Sequence, residues 1–226
     1  MSNPKLIGTN IIDCIPQTGE CPRHCPECFF NGGRFYRILD EPLLPALEEA
    51  EGKIVRVNSG NDSNNQKDLV IEKTKQYKHK FYNTSTPNFD FPAPVCFTCN
   101  PHDKVILAKN NLKNLMFVRI RTTPWNLDEV DIATDYYLKQ HNIPVLLTFM
   151  RFYNGGLIPE EYKKDFEWVK HIINEYYCLK PEAIFKIMDR YKKSGVLSCG
   201  NNISSNCVDC RKCEFLYWEW IRKNEK

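Results

Sequence analysis

Two groups of cysteines carry the residue types and spacings from which chemistry could be built. In GECPRHCPECFFNGG, Cys21, Cys25 and Cys28 form a C-x3-C-x2-C array with prolines, an arginine and a histidine between them. Three thiolates on one short loop can take three corners of a tetrahedral or cuboidal metal centre, leaving the fourth to a group the loop does not supply. In LSCGNNISSNCVDCRKCEF, Cys207, Cys210 and Cys213 form C-x2-C-x2-C, and Cys199 can return to the same centre. Four thiolates close that site, and by residue type alone it suits structural zinc as well as an iron–sulfur cluster. The remaining cysteines read as packing groups. Cys96 and Cys99 would turn to opposite sides of a strand in PVCFTCN, Cys178 falls in an expected helix, and Cys14 lies just ahead of the first array. His24 suits a supporting donor better than a fourth ligand.

The bulk properties narrow the setting. The 226 residues carry 31 basic and 28 acidic side chains, a formal charge of +3, so charge predicts no nucleic-acid partner. No run of about eighteen apolar residues is present, and MSNPKLIGTN lacks the order of a secretory signal, so no membrane partner and a cytoplasmic location are expected. In a reducing compartment, clustered cysteines are metal ligands before they are disulfides.

Something must position the arrays. Six apolar runs of strand character recur, each with a polar tail: LIGTNIIDCI, KIVRVNSGND, HKFYNTST, PVCFTCN, NLMFVRIRTT and IPVLLTFM. Their tails hold the polar residues, where parallel α/β sheets build their sites. EPLLPALEEA, QKDLVIEKTKQY and LDEVDIATDYYLKQHN read as connecting helices, the last capped by Asn126 with Glu129 at the capping-box position; NDSNNQ and TSTPNFDFPAP read as loops. Six strands are too few for a closed eight-stranded barrel. The expected fold is α/β, an open partial (β/α)6-type barrel over residues 1–158, followed by a helical, cysteine-rich extension over 159–226. From Pro159 to Lys193 that extension reads as helix, with Phe166, Val169, Ile173 and Tyr177 on one face, Pro181 opening the next helix and FLYWEW anchoring the tail.

A C-x3-C-x2-C loop after the first strand of a β/α chain, with SGND after the second, resembles the radical S-adenosylmethionine (SAM) superfamily. CPRHCPECFFN is similar to the loop of the small activating enzymes of anaerobic ribonucleotide reductase. The likeness in layout covers roughly residues 5–155, and its specific part is the cysteine span. It implies that Cys21, Cys25 and Cys28 hold a 4Fe-4S cluster with one open iron, chelated by the amino and carboxylate groups of SAM, and that one-electron cleavage of SAM yields a 5'-deoxyadenosyl radical that abstracts hydrogen from a substrate. Ser59, Gly60, Asn61 and Asp62 occupy the place of the family's Gly-Gly-Glu segment, with Asp62 the acid expected to receive the SAM ammonium. Asp62 is one methylene shorter than glutamate, and Glu27 stands where an aromatic is usual, leaving Phe29 or Phe30 to face the adenine.

Arg119 and Arg121 share strand parity, so either can pair with the SAM carboxylate or lie on a solvated edge, and Thr148 and Arg151 suit ribose contacts or a polar rim. The tail resembles an auxiliary-cluster domain, which favours a second 4Fe-4S cluster over zinc. The implied partner is an electron donor such as flavodoxin or ferredoxin. A glycyl-radical enzyme activase and a non-catalytic zinc-stabilised binding module are the alternatives, and the substrate, whether peptide, protein or small molecule, does not follow from the sequence.

Overall fold

The computed structural model describes residues 4–25, 28, 38–100, 107, 111–149, 151–170, 175–200 and 207–224. The chain enters through β1 (Ile11–Cys14), and β2 (Gly19–Glu20) and β3 (Ile38–Leu39) pair antiparallel on either side of the segment bearing the first cysteine array. A short α1 (Leu47–Ala50) leads to β4 (Ile54–Val57), α2 (Lys67–Thr74) to β5 (Lys80–Thr84), and then come β6 (Val95–Cys99) and β7 (Leu115–Thr122). Beyond them, α3 (Leu127–Ala133) passes into a π-helical stretch, Thr134–Gln140, ahead of β8 (Val145–Phe149). β9 (Arg151–Phe152), β10 (Phe166–Lys170) and β11 (Glu175–Leu179) form a second, antiparallel sheet. Last are α4 (Pro181–Tyr191), β12 (Leu197–Ser198), α5 (Cys207–Cys210) and α6 (Lys212–Asn224).

The main sheet runs β1-β4-β5-β6-β7-β8-β12 with every pair parallel, an open half-barrel. All six expected strands are present. The seventh, β12, has only two residues and pairs Leu197 with Leu146 and Ser198 with Leu147. One face of the sheet packs against the crossover helices: Val55, Val57, Tyr82, Phe97, Val118 and Leu147 meet Val70, Val130, Ala133 and Tyr137. Parallel strands covered on both faces read as near-continuous apolar runs, as IVRV and LMFV do. The other face, the concave one, receives the tail. Ile11, Ile54, Phe81, Phe117 and Leu146 pack there against Leu216 and Tyr217 of α6.

Several expectations are corrected. Residues 166–170 and 175–179 are antiparallel strands, not helix, with Phe166 opposite Leu179 and Tyr177 opposite both Trp168 and Phe152. FEWVK and EYYCL are rich in aromatic and β-branched residues, which favour a pleated surface, and the strand β9 supplies an edge to complete the sheet. Ile173 lies outside the described residues. Helix does begin at Pro181. EPLLPALEEA is helical only over Leu47–Ala50. Asn126 does not cap α3 through its side chain. Its Oδ1 instead accepts from Thr123 N–H at 2.8 Å, and its Nδ2 donates to Arg121 O at 2.8 Å. The segment assigned to the extension also crosses back into the barrel, because β12 extends the main sheet and Ala183, Ile187 and Tyr191 of α4 join the core beneath it. Among the described residues no helix is long and apolar enough to cross a membrane.

Candidate functional site

Side-chain alternation sorts the concave face into rows. Ile11, Ile54, Phe81, Cys96, Phe117 and Leu146 make the apolar row against which α6 packs. Two residues further toward the carboxyl ends, the same parity gives Asp13, Arg56, Asn83, Thr98, Arg119 and Thr148, a polar row, with Arg121 beyond it paired in register with Thr148. The two cysteine arrays meet this face at different heights.

The first array follows directly from β1. The N–H of Cys28 donates to Cys25 O at 2.9 Å in a turn, and burial followed by weaker influences, Asp62, Cys25 and Cys28 among them, pushes the Cys21 thiol up to about 11. Arg23, inside the array, reaches the SGND loop: its guanidinium donates to Thr86 Oγ1 at 3.1 Å and lies 3.9 Å from Asp62 Oδ2. Asp62 itself is 4% exposed and committed to the protein. Its Oδ1 accepts from Thr84 Oγ1 at 2.7 Å and Asn64 N–H at 2.9 Å, and its Oδ2 accepts from Ser85 N–H at 2.7 Å. The acid expected to receive an ammonium therefore fastens the SGND loop to the end of β5 and, through Arg23, to the cysteine loop. Gln17, just after β1, adds a second fastening by donating to Asp62 O and Asn65 O.

Around this latch, several buried polar atoms find no partner among the described residues: Asn58 Oδ1, Ser59 Oγ, Asn83 Oδ1, Thr123 Oγ1 and Thr148 Oγ1. All belong to the carboxyl ends of β4, β5, β7 and β8. Buried polar groups are ordinarily hydrogen-bonded, so this ring suits a polar ligand at the mouth. Ser59 and Thr148 were expected there. Asn83 too was expected among the polar residues at the strand ends, whereas Asn58 and Thr123 were not singled out, although their places in the polar tails were the available signal. Gly60 and Asn61 lie on the same loop, with Asn61 Oδ1 accepting from Asp62 N–H, while Phe29 lies outside the described residues. Arg151 lies over the Tyr176 ring at 4.6 Å, and Tyr153, edge-on to Tyr176, has its phenol raised by burial with Cys28 among its charged neighbours.

The tail array sits lower, against the polar row. Cys199 is anchored by its N–H to Leu147 O at 2.7 Å, and Cys207, Cys210 and Cys213 come from α5 and α6. A hydrogen bond from the Cys199 thiol lowers Cys210, assisted by the N–H of Gly200 at 3.3 Å from its sulfur, while Cys199 is raised by the same bond. Arg119 Nη2 lies 3.7 Å from Cys213 Sγ. Arg119 thus faces the tail array, not the mouth, whereas Arg121 remains at the mouth. Burial lowers Lys5, next to Cys199 and Cys207, to about 8.

No family model, curated protein or solved structure matches the chain.

Among the described residues, no three His, Cys, Asp or Glu side chains have converged around a common metal position. The donor sets nonetheless have the character such centres need. Backbone and guanidinium N–H groups already point at tail sulfurs, the outer-shell contacts that orient and tune thiolate ligands. Of the other cysteines, Cys14 and Cys96 are fully buried, and burial raises their thiols to about 12 and about 11. Cys96 and Cys99 fall in opposite cores, and the Cys178 thiol donates to Glu167 Oε1 at 3.7 Å.

Proposed function

We propose that this chain is a radical SAM enzyme. The observation that carries the reading is the attachment of a three-cysteine loop to the end of the first strand of an open parallel half-barrel, latched through Arg23 and Asp62 to the loop after the neighbouring strand. Cys21, Cys25 and Cys28 would hold the 4Fe-4S cluster, and Ser59, Asn83, Thr148 and Arg121 would hold SAM at the mouth. When bound, the cluster and SAM supply one-electron cleavage of the sulfonium bond. The chain's own groups do the rest. Unpartnered mouth acceptors and hydroxyls orient the cofactor. Cys199, Cys207, Cys210 and Cys213 would hold a second 4Fe-4S cluster. Flavodoxin or ferredoxin would deliver the electron in the cytoplasm, and the substrate is a peptide, protein or small molecule.

Anaerobic reconstitution should load about eight irons per chain, four for each cluster. Dithionite-reduced protein should then turn SAM into 5'-deoxyadenosine, and Cys25→Ala should abolish that product and remove about four irons. Iron confined to the tail, or 5'-deoxyadenosine formation that survives Cys25→Ala, would reject the reading. Colourless protein holding zinc in both arrays would point instead to a metal-stabilised binding module.

A further inference from the structure

Arg119 presents a charge that no carboxylate among the described residues balances. The other arginine of the polar row, Arg56, is matched by Asp13, whose Oδ1 accepts from both Nε and Nη2 at 3.0 Å. Arg119 has no such carboxylate among the described residues. Among the described residues its Nε is closed off from solvent with no acceptor, and the guanidinium meets Cys213 Sγ at 3.7 Å and, more loosely, the face of Phe117 at 5.7 Å from its centre. A guanidinium cannot shed its proton, and withdrawing it from water is costly unless an anion compensates. The sulfurs in reach are the buried Cys96 thiol on the neighbouring strand, which burial keeps neutral, and the tail cysteines Cys213 and Cys199. Four thiolates around a divalent metal, or around a 4Fe-4S core of the same charge, leave a net charge of about −2. Neutral thiols would leave Arg119 uncompensated.

We propose that Arg119 is the counter-charge that seats the tail centre on the half-barrel, its guanidinium donating to the Cys213 thiolate so that a net-negative four-cysteine metal centre is held at β7. Arg119 is a positioning residue: it touches a ligand of the centre, not a substrate. Because Cys213 belongs to α6, whose Leu216 and Tyr217 cover the apolar row, occupancy of the centre and docking of the helix reinforce one another. The inference rests on the reading of these four cysteines as a metal site, and it holds for zinc as for iron.

The test uses the full-length chain carrying Cys21→Ala, so that only tail metal is read, and compares Arg119, Arg119→Met and Arg119→Lys. Transfer of tail metal to a chelator should be at least tenfold faster in Arg119→Met, with Arg119→Lys restoring most of the difference because it keeps the charge. If the metal is iron, the midpoint potential should fall by at least 59 mV, tenfold in a one-electron equilibrium, because a lost positive charge disfavours the added electron. Arg119→Gln, uncharged but still a donor, should behave as Arg119→Met does, and circular dichroism checks that the folds agree. Release rates and potential within twofold-equivalent of the parent would overturn the role of Arg119 while leaving the metal site standing. Failure of the four cysteines to retain any metal in the parent would overturn the metal reading, and this proposal with it.

Discussion

At the scale of single residues, the candidate site was legible by type and opaque by direction. SGND was found because a polar segment follows a strand, yet beside the local Asn64 N–H the partners of Asp62 are Thr84 and Ser85, more than twenty positions away, and no local pattern announces that its carboxylate will be consumed within the protein. Arg119 and Arg121 were rightly placed on one face, but which of them meets the tail depends on where α6 docks. The commitment of Asp62 yields a prediction. Asp62→Asn keeps the shape but removes one acceptor and the charge facing Arg23, so three donors compete for a single amide oxygen. The loss should be about 1–3 kcal/mol, the scale of an unsatisfied buried group. It should appear as a lower urea midpoint even in protein free of metal and SAM. An unchanged midpoint would mean that the latch contributes nothing to the fold and that the acid is available to a ligand after all.

At the scale of elements, the strands of the half-barrel were readable because each is an apolar run longer than its neighbours' turns allow to be exposed. The 166–179 stretch misled for a physical reason. Phe166, Val169 and Tyr177 satisfy helical spacing, while FEWVK and EYYCL satisfy strand composition equally, and only the open edge of β9, contributed from elsewhere, decides between them. The one-residue approach at Gly155 shows how closely that small sheet is fitted. A Cβ built there would stand 2.8 Å from Tyr177 Cε2 and 3.1 Å from its Cζ. Gly155→Ala should therefore push the Tyr177 ring off its site beside Trp168, whose centroid is 4.6 Å away, and cost about 1–3 kcal/mol, the usual range for overpacking. Thermal unfolding measures the loss. Greater near-neighbour mobility without loss of stability would show that the ring has room to turn aside.

At the scale of the whole molecule, the segment read as an extension beyond residue 158 makes contact with the half-barrel at two places. β12 adds to the parallel sheet, and α6 packs against its apolar row. Neither is visible in the sequence, because β12 is two residues long and because FLYWEW announces an apolar surface without saying what it covers. Tyr217 tests the claim. It is 1% exposed, its ring centroid lies 6.3 Å from that of Phe81 and 5.0 Å from that of Trp218, and its hydroxyl meets His79 Nδ1 at 3.4 Å. Tyr217→Ala should remove about 3–5 kcal/mol, as loss of a buried aromatic does, from a total of about 5–15 kcal/mol. If the tail is integral, the single cooperative transition of the whole chain moves to lower denaturant, and hydrogen exchange rises across β5 and β7 as well as α6. Tail metal should also be released faster, because α6 carries Cys213. An unmoved main transition, with faster exchange confined to residues 212–224, would instead make the tail an appendage resting on a half-barrel that is stable without it.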